Sequence, residues 1–137
     1  MMTNPVYDTT GYNDRQDNIR ELKIEPGLEV IRNMYSDRDY VVDLQTSELS
    51  TICPKTGLPD FAELSIKYIP ADYLVEEKSL KLYLTAYRSV GIFQEHAANK
   101  ILDDFVQSVK PRWVKVNAKW NSRGGIAVLV EAEWPAE

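Results

Sequence analysis

RWVKVNAKWNSRGGIAVLVEAEW, residues 112–134, alternates apolar and polar side chains along two runs. Val114, Val116, Ala118 and Trp120 fall on one side of the first, and Ile126, Val128, Val130, Ala132 and Trp134 on one side of the second. A period of two over this length is the pattern of strands with one buried face. The segment between them, Asn121 to Gly125, is short and contains two glycines, so the runs predict an antiparallel hairpin.

Upstream, FQEHAANKILDDFVQSVK (93–110) repeats its apolar residues Phe93, Ala97, Ile101, Phe105 and Val109 at intervals of four, and Pro111 stops the pattern. VEEKSLKLYLTAYRS (75–89) spaces Leu80, Leu84 and Tyr87 by four and three. Both stretches predict amphipathic helices. Before them, AELSIKYI (62–69) alternates Leu64, Ile66 and Tyr68 with Glu63, Ser65 and Lys67, and YVVDLQTSELS (40–50) is rich in β-branched residues. The turn-forming CPKTGLPD (53–60) separates these two predicted strands. Two strands, two helices and two strands make an α+β domain, a four-stranded antiparallel sheet with both helices on one face. Its long apolar edges predict pairing with another subunit.

Residues 1–38 are polar and weakly periodic, and we expect an extension, partly disordered or draped over a neighbouring subunit, with the domain running from 39 to 137. A chain of 137 residues is one domain, able to bury roughly two thirds of its unfolded surface. No apolar run is long enough to span a bilayer, and no basic region followed by an apolar stretch suggests a secretory signal, so a cytoplasmic address is expected. A net charge of −5 argues against nucleic-acid binding and for a small-molecule ligand. One cysteine and one histidine cannot build a structural zinc site, and we expect no metal.

Cys53 is the natural candidate for chemistry. It follows a predicted strand and precedes Pro54 in a Gly- and Pro-containing loop, a position suited to a reactive thiol. Asp60, seven residues on, can fold back beside the sulfur, and a thiolate with a nearby acid is the minimum for adding to a polarised triple bond and protonating its nitrogen. Glu95 stands in the first turn of the second helix, where the helix dipole favours it; it also suits recognition of the N–H and amine edge of a guanine-like ring. Glu76 and Glu77 share that ambiguity on the first helix. Lys78 and Lys81 form either a solvated stripe or a phosphate contact, and Arg123 with Gly124 and Gly125 is a turn first and a phosphate contact second.

CPKTGLPDF, YIP, LVEEKSLKLYL, YRS, FQEHAANKILDD and RGGI together resemble the single-domain 7-cyano-7-deazaguanine reductases of queuosine biosynthesis, over roughly Leu44 to Gly125. The resemblance implies a tunnelling fold assembled into barrels, with two stacked pentamers and active sites at subunit seams. It implies Cys53 as the nucleophile that forms a covalent thioimide with the nitrile carbon and Asp60 as the acid that protonates the nitrogen. Glu95 anchors the deazaguanine, Val75, Glu76 and Glu77 contact the base, and Lys78 and Lys81 belong to the NADPH motif. Two NADPH per turnover take the nitrile to the aminomethyl product.

Three positions depart from the resembled pattern: Glu77 where Ser or Leu is usual, Gln94 where some relatives have His, and Ala97 where some have a second cysteine. Gln94 is kept as a substrate contact, but it cannot transfer a proton, which leaves that task to Asp60, alone or with His96. Competing readings are an amidinotransferase acting on the cyano-deazaguanine already in tRNA, which has no use for the Lys motif, and a non-catalytic purine-binding module. A pterin-forming cyclohydrolase shares the fold but needs metal ligands missing from this sequence.

Overall fold

The computed structural model describes residues 18–136. Its elements in chain order are β1 (Val30–Arg32), β2 (Val42–Ile52), β3 (Pro59–Ile69), β4 (Tyr73–Val75), α1 (Glu77–Ala86), α2 (Gln94–Val109), β5 (Trp113–Trp120) and β6 (Leu129–Trp134). The expected four-stranded antiparallel sheet is present in the order β2-β3-β5-β6, with α1 packed against β2 and α2 against β5 and β6. Alternation decides the faces. Leu64, Ile66 and Tyr68 of β3 and Val114, Val116, Ala118 and Trp120 of β5 are buried, as are Ala97, Ile101, Phe105 and Val109 of α2. Tyr68 meets Phe105 edge to face, with ring centroids 4.8 Å apart. Lys110 closes α2 in the left-handed region (φ 53°), and Pro111 cannot extend the helix. No described helix is long and apolar enough to cross a membrane.

β2 contains a feature that its sequence did not disclose. The register against β3 shifts between Thr46 and Leu49, a bulge that adds one residue to β2. Val42, Leu44 and Thr46 share the core face before it; Leu49 and Thr51 share that face after it, opposite Ala62 and Asp60.

The C-terminal hairpin is looser than expected. β6 begins at Leu129, not Ile126, and Ile126 is exposed. The physical reason is the turn: Gly124 and Gly125 both have positive φ, 59° and 80°, and Arg123 and Ile126 exchange backbone hydrogen bonds across them. That makes a separate two-residue turn at the tip. Trp120 donates its N–H to Val128 O and Asn121 to Phe61 O of β3, each at 2.9 Å, at the point where the ladder with β6 gives way to the loop.

A second ladder, β1 with β4, was not foreseen. Of the expected extension, residues 1–17 lie outside the described residues. From residue 18 the chain packs on the domain: Ile19 and Ile24 are buried in the common core, and β1 is tied to the domain through β4. Lys100, itself buried, holds this segment with a hydrogen bond to Arg20 O at 3.0 Å and an ion pair to Asp104 at 3.2 Å.

Candidate active site

The loop after β2 is closed by its own backbone. Cys53 donates to Leu58 O at 2.8 Å, Gly57 donates to Cys53 O at 2.9 Å, and Gly57 takes a φ of 72° that side-chain-bearing residues rarely adopt. Pro54 is buried beneath it while Cys53 is half-buried. Burial works to raise the Cys53 thiol, but hydrogen bonds from the Thr56 side chain and from the backbone at Thr56 and Lys55 outweigh it. The net result is a thiol more acidic than an ordinary cysteine, against a smaller opposing push from the Asp60 charge. Thr56 was not singled out from the sequence, although a hydroxyl three residues after a cysteine in a Pro-Gly loop is the signal that could have found it.

Asp60 opens β3 and is buried at 6% exposure. Its Oδ1 accepts a 2.6 Å hydrogen bond from Arg123 Nη1, which also donates to Pro59 O at 3.0 Å. Arg123 was expected as a cofactor contact; the hairpin tip carries it to Asp60, so its guanidinium answers a buried carboxylate within the same chain.

The head of α2 comes to this same end of the sheet. Ile52 donates to Val90 O at 2.9 Å and accepts from Ile92 at 3.1 Å, so Gly91 bridges in parallel to the residue before Cys53. Gln94 and Glu95 begin the helix immediately afterwards, with Glu95 exposed. His96 stacks edge to face on Phe93, ring centroids 6.0 Å apart. Cys53, Asp60, Arg123 and the Gln94–Glu95 turn are therefore gathered by the fold.

Val75, Glu76 and Glu77 are not among them. Val75 donates its N–H to Tyr68 Oη at 3.2 Å, and Tyr68 pairs with Val42 at the opposite end of β3 from Pro59. Nine residue steps of strand separate those rows, roughly 30 Å along β3 at the rise of a β-strand. Glu76 caps α1, accepting from Lys78 N at 2.8 Å and Ser79 N at 2.7 Å, and these two backbone donors lower its pKa. Glu77 and Lys81 line an open cleft of about 570 Å³ between α1 and β2, together with Arg88 and Thr85. Lys78 and Lys81 are exposed. Lys81 and Arg88 line the cleft with the acids Asp43, Glu48 and Glu77, and Lys78 is not part of its lining.

A sequence profile of the family described as QueF-like protein matches residues 59–137. The chain belongs to that family. Among relatives of this QueF-like chain, the NADPH-dependent 7-cyano-7-deazaguanine reductase of Syntrophus aciditrophicus is 52% identical over 115 residues, covering 84% of this chain and 82% of that protein. The enzyme of the same name from Thermoanaerobacter pseudethanolicus is 44% identical over 131 residues, covering 96% and 92%. Among solved structures, the apo crystal structure of an archaeosine synthase, QueF-Like, has a TM-score of 0.64 at 31% identity, covering 68% of this chain and 91% of that one. The fold is thus that of the QueF-like proteins.

Proposed function

We propose that this QueF-like chain is an NADPH-dependent oxidoreductase that reduces the nitrile of 7-cyano-7-deazaguanine to a primary amine, supplying queuosine biosynthesis. The observation that carries the reading is an acidified, half-buried Cys53 at the same sheet end as the buried, ion-paired Asp60. The two reductases at 52% and 44% identity support it.

The Cys53 thiolate adds to the nitrile carbon. The Cys53 thiol first passes its proton to Asp60; then a C–S bond forms, one C–N π bond breaks, and its electron pair moves to nitrogen, which takes that proton from Asp60; the product is a thioimide. Glu95 holds the N–H and amine edge of the base, with Gln94 beside it. NADPH, when bound, supplies the hydrides, one for each of the two reduction steps. Lys78 and Lys81 hold its phosphates, while Arg123 serves Asp60 first. The covalent tether at Cys53 keeps the half-reduced substrate in place between the two steps.

One chain does not complete this site. Val75–Glu77 stand toward the other end of the sheet from the thiol, and β2 and β6 are the outer strands of the sheet. A second copy that extends the sheet brings its own Val75–Glu77 to the Cys53 end of the first. The assembly we propose is a barrel of such copies, two stacked pentamers, in the cytoplasm. The reductase unit proper is residues 39–137, with the preceding segment fastened to it.

A second reading, transfer of nitrogen to a cyano-deazaguanine already in tRNA, draws on the likeness to the archaeosine synthase structure. The net charge of −5 and the exposed Lys78 and Lys81 weigh against it. Incubation of purified protein with 7-cyano-7-deazaguanine and NADPH separates the two. Loss of nicotinamide absorbance at two equivalents per amine formed is expected, and no loss of absorbance defeats the reductase reading.

A further inference from the structure

Thr51 is fully buried, at 0% exposure, and its Oγ1 has no hydrogen-bond partner. A buried hydroxyl without a partner is destabilising, and Val would fill the same volume without that cost. The register puts Thr51 directly opposite Asp60, so the two side chains leave the same face of the sheet with Cβ atoms roughly 5 Å apart. They share that face only because the bulge between Thr46 and Leu49 reverses the alternation of β2. One row along, Trp120 pairs with Ala62 on the same face, and its Nε1 is the other buried side-chain atom without a partner among the described residues. An unanswered buried donor therefore stands directly across the ladder from a carboxylate whose Oδ1 is already taken by Arg123.

We propose that Thr51 is a positioning residue for the proton transfer, its hydroxyl donating a hydrogen bond to Asp60 as that group becomes a carboxylate. The inference rests on the nitrile chemistry proposed above and deepens it. As the nitrile nitrogen takes the proton that Asp60 received from the thiol, the negative charge returns to a buried place, and a hydroxyl that can turn toward it meets that demand. Thr51 keeps its own proton throughout. The other charged or titratable groups at this end include Cys53 and Lys55 from the β2 loop, Arg123 from the β5–β6 loop, and Glu95 and His96 from the head of α2. None of these replaces a neutral donor directly across the ladder.

The test is the rate of thioimide formation with 7-cyano-7-deazaguanine alone, followed by intact mass, in wild-type, Thr51→Val and Thr51→Ser proteins. The rate of Cys53 alkylation by iodoacetamide and the dissociation constant of the nitrile, measured in a Cys53→Ala background, accompany it. Thr51→Val is expected to slow adduct formation about tenfold or more, with alkylation and affinity unchanged, and Thr51→Ser to restore the rate. An unchanged adduct rate in Thr51→Val overturns the inference. So does an equal slowing of alkylation, or a failure of Thr51→Ser to rescue a folded protein, since each marks a packing role. Absence of any adduct in the wild-type protein overturns the proposed function itself.

Discussion

Arg123 Nη1 lies 2.6 Å from Asp60 Oδ1, joining the tip of the β5–β6 loop to the first residues of β3. The carboxylate is buried and the guanidinium partly exposed, so the pair ties the loop tip to the strand that follows the Cys53 loop. The expected consequence is kinetic. Arg123→Met should lower kcat by tenfold to a hundredfold, the equivalent of one charge-assisted hydrogen bond, while the KM for NADPH stays within about twofold. Steady-state assays with varied NADPH check this. A raised KM with kcat intact would return Arg123 to the phosphate contact expected from sequence.

The Cys53 thiol is acidified by the Thr56 loop against the opposing effects of burial and of the Asp60 charge. Its alkylation rate, followed against pH, should therefore reach half-maximum below the value of an unperturbed thiol. Thr56→Val should move that midpoint up, because it removes a hydrogen bond to the thiolate. Asp60→Asn should move it down, because it removes a like charge, yet the same variant should form no thioimide. A common loss of both reactions in Asp60→Asn would show that the carboxylate supports the loop and not the proton transfer.

A seam-built site predicts complementation. Cys53→Ala and Glu77→Arg chains are each expected to be inactive, but co-assembled in equal amounts they should regain activity in roughly a quarter of their sites. Sedimentation of the mixture verifies that the two assemble together. No recovery in a verified mixed oligomer places both residues in the same chain's site.

Lys100 is 6% exposed and ion-paired with Asp104, which also accepts from Tyr83 Oη at 2.6 Å. Lys100→Met leaves Asp104 without its cation and Arg20 O without its donor. The expected loss is about 3 kcal/mol, read as a lower urea midpoint at unchanged slope. A protein as stable as wild type would show that water replaces the ammonium at no cost.

Burial raises the pKa of Tyr83 and of Tyr87, whose hydroxyls lie 2.9 Å apart. A phenol whose folded-state value is raised holds its proton more tightly when folded. The stability this lends is fully present below the ordinary phenol value of about 10 and is lost as pH rises above it. Urea midpoints should fall through that window, and less steeply in Tyr83→Phe/Tyr87→Phe.

Much of this was legible in the sequence because it depends on local period and on turn chemistry. The alternation of Leu64, Ile66 and Tyr68 and the four-residue spacing of Ala97, Ile101, Phe105 and Val109 each name a buried face without reference to any partner. Cys53 was legible from its Pro-Gly loop and from the resemblance. The Arg123–Asp60 pair was not, because 63 residues separate them and nothing local in either marks the other. Glu76 was read as a base contact, and its carboxylate is found capping α1; helix-start acids serve either end with the same spacing.

The sequence by itself determined four strands, two helices, their order, and the one sulfur capable of addition chemistry, since periodicity and residue type act within a few neighbours. The tertiary structure alone decided which residues meet that sulfur. One inserted residue in β2 turns Thr51 to face Asp60, a glycine turn delivers Arg123, and the length of β3 keeps Val75–Glu77 away. Such meetings depend on strand register, and register is set by the packing of whole faces against one another and not by any single stretch of chain.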